Sequence, residues 1–304
     1  VRVFVAGATG AVGRILVPLL LDAGHQVTGT ARSRTGLDRL RAQGATPVQA
    51  DVFDAEGLAG AVAAASPDTV IHQLTALAKG TPADNGRIRR EGTRNLVDAA
   101  VRAGVTRVIA QSVAWAYEPG DTPAAEDTPL DVTAPPPRAN MVGGIRVLEE
   151  TAAELDEHVI LRYGTFYGPG TWYSPEGLVA DLLRGEGAAQ RAAAFVGPLR
   201  ADDAVSSFVH VEDAARAAVA ALDWPSGQVN VVDDEPAAAR DWLPVLARAL
   251  GAPPPPPATG RAGWERGASN ARARSLGWLP RRSSWRTGFT AMSPAGAAGP
   301  ASSR

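Results

Sequence analysis

The sequence predicts an α/β fold with a doubly wound parallel sheet, and three observations carry this. Short, almost wholly apolar runs recur up to residue 163 and stop at glycine or turn residues. Between them lie longer segments whose apolar residues recur at helical spacing. Runs that lack polar alternation belong to strands buried on both faces, and parallel sheets covered by helices are built from such strands.

Val1–Ala6 is too short for a helix and ends at Gly7, so it reads as the first strand. In Ala11–Asp22, Ile15, Leu16, Leu19 and Leu20 form one helical stripe, with Gly24 placed to end it. Gln26–Thr30 is the second strand, and Thr46–Ala50, Thr69–Leu74, Arg107–Gln111 and His158–Tyr163 continue the series. Residues 118–139, rich in Pro, Asp, Glu and Thr, form a long loop before a helix, and loops of that length are more often functional lids than idle linkers. Ala252–Pro257 is a stiff proline connector, and residues 291–304 are a small, polar, disordered tail.

Composition narrows the class. A chain of 304 residues, 45% hydrophobic and 20% charged, is an ordinary globular protein with an ample core. It has no cysteine, so it carries no disulfide, thiolate metal site or cysteine nucleophile, and a cytoplasmic location fits. No apolar run is long enough to span a membrane, and no signal peptide is visible. The net charge of −2 offers no general attraction for nucleic acid or acidic lipid. His25, His72, His158 and His210 lack metal-ligand spacing, so no metal is expected.

The segment Arg261–Arg286 holds seven arginines and three tryptophans. Interleaved basic and aromatic residues can bind single strands, but an acidic protein without a nucleic-acid motif favours packed tryptophans and solvated or cofactor-facing arginines.

Gly7, Thr9, Gly10, Ala11, Val12 and Gly13 join the first strand to the first helix. The first glycine permits the tight turn, the second lets backbone approach a pyrophosphate, and the third lets helix and strand pack closely. The helix N-terminus then offers free N–H groups to the phosphates, as in a Rossmann-type dinucleotide site. The second strand ends at Arg32, Ser33 and Arg34 with no acid before Asp38. A carboxylate there would hold ribose hydroxyls and repel a 2′-phosphate, whereas arginine forks and a serine hydroxyl grip one. NADPH is therefore expected over NADH.

With these residues in view, the chain resembles the extended short-chain dehydrogenases/reductases, the group of NAD-dependent epimerases and dehydratases. Asp51 and Val52 look like its adenine-contacting pair, and Leu74 and Thr75 like the end of its fourth strand. Gly164, Thr165 and Phe166 are similar to its nicotinamide-side signature. Phe208–Ala214 and Leu276–Pro280 resemble motifs of a small C-terminal substrate-binding lobe. The resemblance implies a Rossmann domain mainly over 1–168 and a substrate lobe mainly over 169–290, with 205–232 returning to the Rossmann core.

The family's usual acid is a tyrosine four residues before a lysine on one helix, with a serine hydrogen-bonding the carbonyl. Those positions hold Met141 and Ile145, neither of which can donate a proton, while Ser112 falls at the serine position. Arg89 stands where the family often has asparagine. Tyr117, Tyr163, Tyr167 and Tyr173 are candidate replacement acids. Trp115, Tyr117 and Met141, with Ser112, are candidate substrate contacts.

Two readings stay open. One is a ketoreductase of an aromatic polyketide, similar to the atypical angucyclinone ketoreductases of antibiotic pathways, whose proton comes from Ser112, another tyrosine, water or the substrate's own phenol. The other is a silent NADP(H)-binding sensor. A monomer or homodimer acting on a small aromatic ketone is expected.

Overall fold

The computed structural model describes residues 1–77, 80–186, 193 and 196–292. The tail expected at 291–304 lies outside the described residues from 293 onward.

Seven parallel strands form the central sheet: β1 (Arg2–Ala6), β2 (Gln26–Ala31), β3 (Thr46–Gln49), β4 (Thr69–His72), β5 (Arg107–Val113), β6 (Glu157–Tyr163) and, much later in the chain, β10 (Gly227–Val231). Their spatial order is β10-β6-β5-β4-β1-β2-β3. The order reverses at β1, so a crevice opens between β1 and β4 at the carboxyl edge. Two-stranded ladders, β7 (Thr165–Tyr167) with β9 (Phe208–His210) and β8 (Val205–Ser206) with β11 (Ala237–Ala238), lie outside this sheet.

Side chains alternate across each strand, so each face has its own core. Val3, Val5, Ile71 and Ile109 pack against Leu16, Val17 and Leu20 of α1 (Gly13–Asp22) and the alanines of a later helix, Val211–Ala220. Phe4, Val70, Val108 and Ala110 pack on the other face. There they meet Leu58 and Val62 of Ala55–Ala65, Leu96 and Val97 of Thr93–Arg102, and Leu148 and Ala152 of Arg138–Ala152. The last of these helices, called αC here, is the one that carries Met141 and Ile145. A third core joins Tyr167, Phe208, Trp242, Trp285 and Phe289, where Tyr167 and Phe208 each meet Phe289 edge to face at 5.2 Å.

The loop before αC is not free to act as a lid. Its Glu118 N–H donates to Pro129 and its Asp131 N–H to Ala116, and αC begins at Arg138 inside the expected loop. The Ala124 N–H donates to Gly267 O, and the Ser269 N–H donates back to Ala124 O. Arg261 and Arg266 donate to the carbonyls of Gly120 and Glu118, and Arg138 pairs with buried Asp131 at 2.6 Å while lying 4.1 Å over Trp264. Arg274, Arg282 and Arg286 pair with Asp234, Glu212 and Glu235. The arginine-rich segment therefore spends much of its charge on the protein itself.

Candidate active site

The register sets Ala6 beside His72 and His72 beside Ala110, so Gly7, Gln73–Thr75 and Gln111–Val113 leave the sheet at one level. Gly7 has φ +91°, and a Cβ there would sit 2.5 Å from Gln73 O. A Cβ on Gly13 would sit 2.2 Å from Gly7 O. No other residue fits at either position. The Gly10 N–H closes the turn on Gly7 O, whereas those of Ala11, Val12 and Gly13 have no acceptor among the described residues. No acidic residue stands in the first turn of α1. Free N–H groups at a helix start, reached past glycines, are what a pyrophosphate requires, so these residues fit a nicotinamide dinucleotide.

Arg32, Ser33 and Arg34 are exposed at the end of β2, and the two guanidinium groups have no partner among the described residues. Ser33 Oγ accepts the Gly36 N–H and caps the next helix, which leaves its own proton free to donate. Asp51 accepts the Phe53 N–H, and Val52 packs beneath Gly92. After β6, Gly164 and Thr165 are held by Val231 O and Ser207 O, and the Phe166 ring lies 5.1 Å from that of Tyr163.

The structure corrects the catalytic assignment of Ser112. In β5 the side chains of Val108 and Ala110 face αC, and Ser112 shares that face. Its hydroxyl is buried and donates to Glu149 Oε1 at 2.6 Å, so its one proton is not available to a substrate carbonyl. Glu149 also takes two donors from Arg162, Nε at 2.9 Å and Nη2 at 2.6 Å, in a pair whose side chains are 7% and 6% exposed.

The same network removes Tyr117 from the substrate contacts. Tyr117 is 1% exposed; its hydroxyl receives Arg162 Nη1 at 3.0 Å and donates to Asn230 Oδ1. Burial pushes its pKa up to about 12. Tyr163, Tyr167 and Tyr173 are also buried, and desolvation raises each phenol above its ordinary value. All four tyrosines are therefore poor proton donors at neutral pH. Glu149, Arg162 and Asn230 lie on three separate elements, and their meeting leaves no mark in local sequence spacing.

Ile145 is buried with Ala116 and Val142, and partly buried Val113 and Trp115 pack against it. Met141 is 40% exposed one turn earlier on αC. A narrow cleft of about 10 Å³, room for one oxygen-sized group, is lined by Leu74, Thr75, Arg89, Gln111, Ser112, Val113, Ile145 and Leu148. Arg89 comes from a π-helical turn, Ile88–Gly92, and is partly buried. Burial, reinforced by neighbouring Arg90, lowers its pKa to about 10.

Among the described residues, no group of three or more His, Asp or Glu could hold a metal ion, and no helix is long and apolar enough to cross a membrane.

Known proteins resemble this chain over most of its length. The profile of the NAD dependent epimerase/dehydratase family matches residues 3–232. A 3-diazoavenalumate denitrifying reductase from a Streptomyces species is 45% identical over 95% of this chain and 99% of its own length. UDP-glucose 4-epimerase from Mycolicibacterium smegmatis is 28% identical over 92% of this chain and 93% of its own. Among solved structures, Thermus thermophilus UDP-glucose 4-epimerase in complex with NAD superposes with TM-score 0.70 at 25% identity, covering 96% of this chain and 99% of that one. Bordetella bronchiseptica WbmG in complex with NAD and UDP gives 0.73 at 23%, covering 96% and 94%, a likeness of fold. With the profile spanning the sheet and its dinucleotide turn, the chain belongs to the NAD dependent epimerase/dehydratase family, the extended short-chain dehydrogenases/reductases, as a nicotinamide-dependent oxidoreductase without the tyrosine–lysine pair.

Proposed function

We propose that the chain is an NADPH-dependent reductase of an electrophilic aromatic substrate whose reduction needs no proton from the enzyme. One observation carries this: the site has no acid to offer. Met141 and Ile145 hold the acid positions, Ser112 is committed to Glu149, and all four tyrosines are buried. When bound, the nicotinamide supplies hydride.

Gly7–Gly13 would hold the pyrophosphate, and Arg32, Ser33 and Arg34 the 2′-phosphate. Those three residues support NADPH, although the neighbours named above were solved with NAD. Leu74 and Thr75 would lie along the pyrophosphate and ribose, and Gly164, Thr165 and Phe166 next to the nicotinamide. Trp115 and Met141 would wall a flat substrate.

The substrate class best supported is an aryl diazonium, on the strength of the 45% identical denitrifying reductase. Hydride forms a carbon–hydrogen bond as the carbon–nitrogen bond breaks. The departing pair leaves with N₂, and no proton is consumed. A removed general acid usually costs roughly 10²–10⁴ in rate, and this reaction never incurs that cost. The second reading is a polyketide ketone of angucyclinone type, favoured by the apolar wall of Met141 and Ile145. There hydride adds to the carbonyl carbon, and the alkoxide takes the proton of an adjacent substrate phenol. On either reading the enzyme would serve antibiotic-type secondary metabolism in the cytoplasm, and the Streptomyces relative supports the first part of that.

NADPH deuterated at its transferable position, offered with aryl diazonium salts and phenolic and non-phenolic ketones, tests this by mass spectrometry. Deuterium on the ring carbon vacated by N₂ is expected. Label on a carbinol carbon only beside a phenol would favour the ketone, and tight NADPH binding without labelled product would make the protein a sensor.

A further inference from the structure

We propose that Arg89 is an anion-recognition residue that holds a negatively charged oxygen, carboxylate or phenolate, of the aromatic substrate in the cleft between β4, β5 and αC. The inference rests on the reductase reading above and adds the charge of the substrate to it.

Arg89 departs from the family's asparagine, and the structure shows a site built around it. Among the described residues its guanidinium has no carboxylate and no hydrogen-bond acceptor, unlike nearby Arg87, which is paired with Glu91 at 2.6 Å, and Arg90, which donates to Asn140 O at 3.2 Å. A partly buried, unpaired cation costs free energy, and an arriving anion removes that cost. The side chains of Thr75 and Gln111, which line the same cleft, also lack protein partners among the described residues. Three polar side chains without a protein partner among the described residues thus line a space that admits one oxygen-sized group.

The backbone accommodates the arrangement at some cost. The π-helical turn displaces Arg89 from the straight path of its helix, and such bulges concentrate at functional sites. Two adjacent glycines, Gly143 and Gly144, lie within αC, and a mid-helix glycine costs about 1 kcal/mol relative to alanine. A Cβ on Gly144 would lie 3.2 Å from Arg90 Nη1 and 3.7 Å from Arg89 Cδ, so the glycines open the surface over which both arginines lie. Ile145 adds no competing charge at the position where the family carries lysine.

The pyrophosphate of the cofactor is the alternative anion. It belongs at Gly7–Gly13, where free N–H groups await it. The test separates the two without turnover, so it stands apart from the labelling experiment. NADP⁺-loaded protein is titrated calorimetrically with 4-hydroxybenzoate and its neutral amide, and with 4-nitrophenolate and 4-nitroanisole. The wild type should favour one anion over its neutral partner by about 10- to 100-fold, the worth of a charged hydrogen bond. Whichever pair shows the preference identifies carboxylate or phenolate as the source. Arg89→Gln should abolish the preference while NADP⁺ affinity stays within about twofold, and Arg89→Lys should keep part of it. Equal binding of anion and neutral form, including no binding of either, overturns the proposal. So does loss of NADP⁺ affinity in a folded Arg89→Gln variant, which would make Arg89 a cofactor contact.

Discussion

Glu149→Gln should destabilise the protein severely, although the change is nearly isosteric. Glu149 accepts Ser112 Oγ, Arg162 Nε and Arg162 Nη2, and both members of the ion pair are under a tenth exposed. An amide keeps one acceptor oxygen but turns an N–H₂ toward a guanidinium donor, and the cation loses its counter-charge. Breaking a buried pair from one side costs about 3–5 kcal/mol. Against a total of roughly 5–15 kcal/mol, that is a large share of the stability. At about 2–4 °C per kcal/mol, the melting temperature should fall by roughly 6–20 °C. Urea unfolding followed by tryptophan fluorescence reads the same loss as a lower midpoint. Replacing both partners, Glu149→Leu with Arg162→Met, should recover part of it, because the apolar pair leaves no buried charge. A single variant within about 1 kcal/mol of wild type would refute the reasoning, and the pair would then be a bystander.

Other substitutions separate the roles assigned to the site. Ser112→Ala should lose about 1.5–3 kcal/mol of stability, the worth of a hydrogen bond to a charged group, while labelled-hydride turnover stays within a few fold; a roughly 10²–10⁴-fold fall in turnover would reinstate it as a carbonyl donor. Arg32→Ala combined with Arg34→Ala should weaken NADPH binding by at least about tenfold and leave NADH unaffected, with equal weakening of both refuting the 2′-phosphate assignment. His72 is buried, its Nδ1 accepts the Leu74 N–H, its Nε2 faces Thr93 Oγ1, and burial lowers its pKa to about 4. The unfolded chain therefore binds the extra proton first, and stability is lost as pH falls from about 6.5 toward 4. His72→Gln should shrink that loss. Buried Asp233, raised to about 8 by desolvation, acts in the opposite sense as pH rises from about 4 to 8, so the readout is the difference between variant and wild type.

The sheet was legible because its strands are apolar runs bounded by glycine and turn residues, and such signals are local. The β1 turn was legible for the same reason, since Gly7, Gly10 and Gly13 act within one loop. Ser112 was misread because a family position was carried over without the two-residue period of the strand. Val108, Ala110 and Ser112 share a face, so Ser112 turns its hydroxyl to Glu149, and Val113, beside Ile145, is the residue on the other side. The burial of four tyrosines and the isolation of Arg89 depend on partners distant in sequence, which spacing does not reveal. The lid expectation failed likewise, because Arg261, Arg266, Gly267 and Ser269, which help to tie down the loop, lie more than a hundred positions further along.

That distance sets an order of events during synthesis. Every strand through β6 leaves the ribosome before β10 exists, so the nascent sheet presents β6 as an open edge with unpaired amides. Arg162 and Glu149 can already pair, but Tyr117 still lacks Asn230, and the 118–137 segment still lacks Gly267 and Ser269. The edge and the segment are closed by residues made many seconds later, at roughly 5–20 residues per second. Until then the half-made protein offers a template for pairing with other chains.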